Sequence, residues 1–257
     1  MLQHESAIRG NNPICESFHE TTFDWPTTAD RPHPGQFLSI RISTATAPLL
    51  RRPFAFSDID PKAGTASIIY QTRGPATELL AGKSAGETLD IVGPLGRGFP
   101  EPAGKGTCVL VAGGIGLGPM LFLAKHLRGL KREVLFVYGC AREALVPRSE
   151  SFRRANAVVC TDDGSVGYQG TNVAYLRTLP ESRFAGATVY ACGPNPMMKA
   201  CHELAGERGA PCYVSMEQVM ACGVGACMGC VVKTTSGDGF ARVCTEGPVF
   251  DSREIAW

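Results

Sequence analysis

Thr107-Cys108-Val109-Leu110-Val111-Ala112-Gly113-Gly114-Ile115-Gly116-Leu117-Gly118-Pro119-Met120 runs from a continuous apolar stretch, through a cluster of glycines, into a helical pattern that continues to Leu127. An apolar run of this length reads as a parallel strand buried on both faces. The glycines spell G-x-G-x-G-P, a departure from G-x-G-x-x-G. A glycine pattern alone is a weak signal, and the strand–turn–helix context strengthens it. Glycines let the backbone approach a dinucleotide pyrophosphate, and the helix start supplies the positive end. Gly113, Gly114 and Gly116 are therefore candidate nucleotide-binding residues.

Downstream the strand–helix alternation repeats. Strands are expected at 133–139, 157–161, 187–191 and 210–215, with a helix after Pro196. Their C-terminal ends carry Asp162-Asp163-Gly164-Ser165 and Cys192-Gly193-Pro194-Asn195-Pro196. In an open α/β sheet that edge binds the ligand. Asp162, Asp163, Gly193 and Pro194 are candidate cofactor residues, and Cys192 is the candidate catalytic group beside them. The plainer readings are a solvated turn for the aspartates and a buried thiol capping a strand for Cys192.

Upstream, helical periodicity fades and short apolar runs recur at 36–42, 66–71 and 88–92, punctuated by Pro34-Gly35, Lys62-Ala63-Gly64 and Gly93-Pro94. That pattern predicts a small β-barrel or sandwich, interrupted by one helical turn at 76–80. Two of its stretches could meet phosphate. Arg52, in the bend Leu49-Leu50-Arg51-Arg52-Pro53-Phe54-Ala55-Phe56-Ser57, is either an exposed salt-bridge former or a bidentate pyrophosphate ligand. Gly74-Pro75-Ala76-Thr77 is either an ordinary turn or a helix start whose N–H groups and hydroxyl face a phosphate.

The last part of the chain holds Cys222, Cys227, Cys230 and Cys244 in the spacing C-x4-C-x2-C-x13-C. C-x4-C-x2-C is the ligand spacing of a plant-type [2Fe-2S] cluster, where thiolates serve as soft anionic ligands. Gly223, Gly225 and Gly229 suit a tight loop, through positive φ and close approach of N–H groups to sulfur. A hairpin over 231–235 and 240–244 would bring the fourth cysteine back. A structural zinc site would instead use two close cysteine pairs, and only one is present. A disulfide framework belongs to small secreted chains.

The chain has 257 residues, enough for two ordinary domains and an appendage, and a net charge of +1 that favours neither nucleic acid nor anionic membrane. No apolar run approaches a membrane span, and the first residues lack the apolar core of a signal peptide. The expected location is the cytoplasm. Seven of the eleven cysteines lie outside the cluster loop and read mostly as small buried hydrophobes.

A barrel with an Arg-Pro bend, a glycine-turn α/β domain and a short four-cysteine lobe together resemble the electron-transfer subunits of NAD-dependent (class 1B) dihydroorotate dehydrogenase, within the ferredoxin–NADP reductase superfamily. Arg52-Pro53, Gly113-Gly114-Ile115-Gly116, Thr161-Asp162-Asp163-Gly164-Ser165, Cys192-Gly193-Pro194-Asn195-Pro196-Met197 and the run from Cys222 to Cys244 carry the resemblance. It implies a mixed β and α/β fold: an FAD-binding β-barrel over 1–102, an NAD-binding α/β domain with a parallel sheet over 103–214, and a [2Fe-2S] lobe over 215–257. It implies that Arg52, Pro53, Phe54, Ala55, Ile69, Tyr70, Gln71, Ala76 and Thr77 lie along FAD. Ala55 stands where the family often has Ser, so backbone groups or Ser57 would take over that contact. Ala76 replaces the small Gly usual before Thr77. NAD(H), FAD and the cluster would form a relay to the FMN-containing catalytic subunit that converts dihydroorotate to orotate in pyrimidine biosynthesis, in a heterotetramer of two of each chain. The dihydroorotate site itself is expected on that partner. Two other readings remain open here: the reductase subunit of another flavin/iron–sulfur NAD(P)H system, and a zinc-containing nucleotide-binding regulator. Arg142 and Glu143, after the second strand, do not decide between NADH and NADPH.

Overall fold

The computed structural model describes all 257 residues. The first six strands are β1 (Leu2–Cys15), β2 (Phe18–Asp24), β3 (Phe37–Arg41), β4 (Arg52–Asp60), β5 (Thr65–Gln71) and β6 (Thr88–Leu95). They close an antiparallel barrel in the order β1-β2-β5-β4-β3-β6. Closure removes the open edges that would otherwise need cover. Phe23, Leu38, Ile40, Phe56, Ile68 and Leu89 fill the interior, and α1 (Pro75–Ala81) plugs it with Ala76 and Leu80. Asn11 fixes that plug. Its amide donates to the carbonyls of Leu80, Ala81 and Lys83, and its oxygen accepts from the hydroxyls of Thr21 and Tyr70.

The hairpin β1–β2 gave no apolar signal in the sequence. Along β1 only Ser6, Ile8 and Ile14 are buried, and Gly10, Asn11 and Asn12 interrupt it. The bend expected around Arg52-Pro53 is the start of a strand. Pro53 is tolerated there because β4 pairs with β5 only from Phe56 onward.

After the barrel come β7 (Cys108–Gly113), α2 (Leu117–Gly129), β8 (Val134–Cys140), α3 (Glu150–Ala155), β9 (Val158–Thr161), β10 (Tyr168–Gln169), α4 (Asn172–Arg177), β11 (Thr188–Cys192), α5 (Asn195–Glu207) and β12 (Cys212–Ser215). The sheet runs β10-β9-β8-β7-β11-β12 in parallel and gains an antiparallel edge strand, β15 (Val249–Asp251). Between β12 and β15 lie the cysteine loop and a short hairpin, β13 (Val231–Lys233) with β14 (Phe240–Arg242). The loop is therefore tethered at both ends to neighbouring strands of one sheet, Ser215 opposite Val249.

Barrel and sheet share a continuous apolar contact. Phe122 of α2 packs into the barrel core, Ile69 of β5 packs among α2 residues, and Lys125 bonds Asp58 at 2.6 Å. No helix is long and apolar enough to cross a membrane.

Candidate functional site

The parallel order reverses between β7 and β11: β8 to β10 lie to one side and β12 to the other. Such a switch point leaves a crevice beyond the strand ends. Its floor is set by backbone packing. A Cβ on Gly116 would lie 2.0 Å from the carbonyl oxygen of Cys192, so only glycine allows that approach. The glycine turn is thus closed against Cys192–Gly193 on one side. On the other it stays open at Gly114, which has φ +52° and no atom within 4 Å of a would-be Cβ.

The barrel supplies the facing wall. At Arg52–Ala55, β4 is paired with β3 but not with β5, while Ile69–Gln71 of β5 are paired with β2. The two strands splay apart and leave one backbone edge of each facing the gap. The resulting cleft is about 320 Å³. It is lined by Arg52, Pro53, Phe54, Ala55, Ile69, Tyr70, Gln71, Thr77, Gly116, Cys192 and Gly193 among others. A flat heterocycle with polar edges suits two unpaired strand edges, because each offers N–H and C=O groups in a row.

Two adjacent arginines divide their roles. Arg51 is held by Asp90, at 2.6 Å to the carboxylate and 2.8 Å to the carbonyl. Arg52 bonds only the carbonyls of Leu50 and Arg51 and lines the cleft with no carboxylate partner. It is a guanidinium fork available to an anion. Arg73, bonded to Gln71 at 2.6 Å, also lines the cleft and was not singled out from sequence. Nothing in its local pattern marks it; only the splay of β4 and β5 brings it to the gap.

The remaining candidates differ in what they face. Ala76 is buried in the barrel core. The Thr77 hydroxyl accepts from the N–H groups of Arg73 and Gly74 and donates to the Gly74 carbonyl, so it braces its own turn. Tyr70 directs its hydroxyl to Asn11. Ser57 is buried with its Oγ unpaired and is not part of the cleft wall, so it does not stand in for a serine at Ala55. Gly113 packs beneath Pro194 and Met197. Asp162 and Asp163 follow β9, outside the cleft lining; the Asp163 carboxylate accepts from Ser165 N–H and hydroxyl, which hold it below its usual range. Cys192 is half-buried on the cleft wall, and the surrounding protein, with Glu217 nearby, pushes its thiol up to about 12. It is a neutral wall residue at pH 7, not a thiolate.

The four cysteines of the C-terminal loop are free thiols. Gly225 N–H points to Cys244 Sγ at 3.1 Å, Cys244 N–H to Cys230 Sγ at 3.4 Å, and Val224 N–H to Cys222 Sγ at 3.5 Å. Such donors stabilise negative sulfur. The Val224 N–H, with other loop N–H groups and the Cys227 thiol, draws Cys222 down to about 6. Burial, with Cys230 beside it, pushes Cys244 up to about 11. Left-handed backbone occurs at Gly223, Gly225 and Met228. Gly229 needs no positive φ, but its would-be Cβ lies 3.4 Å from Cys227 Sγ, so its role is clearance.

Cys222 lies beside Cys227 and Cys230 beside Cys244, and Cys244 is also within reach of Cys222. Four cysteines gathered here, with backbone N–H groups turned to three of the sulfurs, form a soft thiolate donor set that fits [2Fe-2S].

Cleft and cysteine loop share walls. Phe37, Met216, Glu217, Gln218, Met220 and Pro248 line the cleft. Gly223 sits against Phe37, Ser39 and Leu95, with its would-be Cβ at 3.8–4.0 Å from them.

Residues 217–256 match the family described as the iron-sulfur cluster binding domain of dihydroorotate dehydrogenase B. The chain is 41% identical over 247 residues to the dihydroorotate dehydrogenase B (NAD(+)) electron transfer subunit of Geobacillus thermodenitrificans, covering 94% of each chain. It is 36% identical over 262 residues to that of Bacillus velezensis, covering 100% of both. Among solved structures, one described for an NADH-dependent reduced ferredoxin-NADP oxidoreductase superposes with TM-score 0.83 at 28% identity, covering 98% of this chain and 90% of that one. With this fold, this cleft and this thiol loop, the chain belongs to the family of electron transfer subunits of NAD-dependent dihydroorotate dehydrogenase B.

Proposed function

We propose that this chain carries electrons between NAD(H), FAD and a [2Fe-2S] cluster, and exchanges them with an FMN-containing catalytic subunit that interconverts dihydroorotate and orotate. The observation that carries this reading is the shared wall: Phe37 touches both the cleft and the cysteine loop, and Met220 lines the cleft two residues before Cys222. Groups held in the cleft and on the loop would have this shared wall between them. When bound, FAD and the cluster supply the change from two-electron hydride transfer to single-electron transfer.

The residues divide the work. The splayed edges at 52–55 and 69–71 would hold FAD, with Arg52 on its pyrophosphate. The crevice at Gly114–Gly116 and Cys192–Gly193 would admit the nicotinamide nucleotide. The neutral Cys192 would wall off water without competing as a nucleophile. Asp162 and Asp163, at the same sheet edge but beyond the cleft, would meet the far end of that nucleotide. Cys222, Cys227, Cys230 and Cys244 would ligate the cluster. The domain boundaries read from sequence, 1–102, 103–214 and 215–257, remain our functional division, with β15 returning the cluster lobe to the sheet. We place the complex in the cytoplasm, where thiolate–iron centres persist.

The test is anaerobic purification of the full chain. About two iron and two sulfide per chain are expected, together with flavin and NADH-dependent dye reduction. Orotate chemistry should appear only when the FMN-bearing subunit is added. Stoichiometric zinc without iron, or dihydroorotate turnover by this chain alone, would refute the assignment.

A further inference from the structure

Arg242 and Glu246 form an ion pair beside the cysteine loop that the relay described above does not use. Arg242 Nε bonds Glu246 Oε2 at 2.9 Å, Nη2 meets Oε1, and the Arg242 N–H donates to Oε2 at 2.7 Å. This double pairing leaves Nη1 aimed at the Gly225 carbonyl, 3.1 Å away. The N–H of the same Gly225 is the donor to Cys244 Sγ, also at 3.1 Å. Gly225 is thus gripped from one side by a guanidinium and from the other by a ligand sulfur. Its φ of +84° and the 2.7 Å between its would-be Cβ and Thr245 Cγ2 reserve the position for glycine. The guanidinium is also close enough to Cys230 and Cys244 to feel their charge. Glu246 accepts from Arg242 at three points and is the anionic half of the pair.

We infer that Arg242 and Glu246 are positioning residues that set the reduction potential of the cluster: Arg242 by aiming the Gly225 N–H at Cys244 and adding positive charge beside the sulfurs, Glu246 by partly cancelling that charge. Cluster potential follows net charge and hydrogen bonds to sulfur. Reduction adds one negative charge, so a nearby cation favours the reduced form and a nearby anion opposes it. The two partners of one ion pair then act in opposite directions. A merely structural pair would not do so, because losing either half would loosen the loop alike.

The inference rests on the proposed cluster, and the experiment separates the two. An EPR-monitored redox titration of the full chain, loaded with flavin and cluster, reads the signal and the midpoint together. No [2Fe-2S] signal in the wild type would fail the functional reading. With the signal present, Arg242→Gln should move the midpoint to more negative potential. A tenfold change in the electron equilibrium, about 59 mV for one electron, is the expected scale. Glu246→Gln should move it to more positive potential. Arg242→Lys, which keeps the charge but not the fork, should fall between wild type and Arg242→Gln. The flavin midpoint in the same titration is the reference. Shifts of equal sign in Arg242→Gln and Glu246→Gln, or no shift, would overturn the inference. Should Arg242→Gln fail to hold a cluster, Glu246→Gln and Arg242→Lys decide it alone.

Discussion

At the scale of single residues, neighbours in sequence do different work, and Arg51 and Arg52 show it most clearly. Both sit before Pro53 and look equivalent in the sequence. Arg51 is spent on Asp90, whereas Arg52 is left facing the cleft. Arg52→Ala should therefore lose FAD on dilution, through removal of a charge-assisted contact of roughly 1.5–3 kcal/mol, while iron content and the unfolding midpoint stay near wild type. Arg51→Ala should do the reverse: it leaves the Asp90 carboxylate with Gln3 as its remaining side-chain partner and costs about 1 kcal/mol of stability, with flavin affinity little changed. Flavin titration and urea unfolding of both variants read the contrast, and identical behaviour would refute the division. The resemblance pointed to Arg52; the local pattern alone does not separate it from Arg51, because the difference depends on Asp90, far along the chain.

At the scale of elements, the barrel is stapled through one polar side chain. Asn11 reaches three carbonyls at the end of α1 and two hydroxyls, from Thr21 and Tyr70. Asn11→Ala leaves the buried Tyr70 and Thr21 hydroxyls without that acceptor and should destabilise the barrel by about 1–3 kcal/mol; chemical denaturation reports it, and a change below a few tenths would reject the role. This element was also the least legible. β1 and β2 are polar outside and interrupted by Gly10, Asn11 and Pro13, so neither alternation nor an apolar run marks them. The strands around the switch point were legible because a strand buried on both faces must be largely apolar: β7 is so throughout, and β11 departs only at Thr188 and the Tyr190 hydroxyl. β15 escaped notice because a three-residue edge strand carries too little pattern. The cysteine spacing needed no fold to be read, whereas the cleft did. Its two walls come from strands that part only in three dimensions, and Arg73 enters it with no local signature.

At the scale of the whole molecule, barrel, sheet and cysteine loop are one packed unit, and its response to alkali should be cooperative. Burial pushes Cys192 and Cys212 up to about 12, and Cys15, Cys140 and Cys160 up to about 11, from 9.0. The native chain therefore holds thiol protons that the unfolded chain releases. The stability they contribute is complete below pH 9 and is lost as pH rises through the native values. Urea midpoints should be flat up to about pH 9 and fall steadily above it; a midpoint that rose there would contradict the burial of these thiols. The remaining question is what covers the cluster. Of the apolar residues near it, Met220 faces the flavin cleft and is accounted for. Val219, Val224 and Met228 are not: they are 83%, 42% and 56% exposed, on the same loop as the exposed Cys227. A one-electron relay works only when a partner lies against it, so these side chains are the expected contact for the FMN-bearing subunit. Replacing Val219 and Val224 together by Gln keeps the charge beside the cluster unchanged. It should weaken association, since a fully buried aliphatic side chain contributes about 1.5–3 kcal/mol, or roughly tenfold or more in Kd. The cluster signal and NADH-dependent dye reduction should persist, and orotate-linked turnover should fall at low subunit concentration and recover at high. An unchanged dissociation constant by analytical ultracentrifugation would move the docking face elsewhere on the chain.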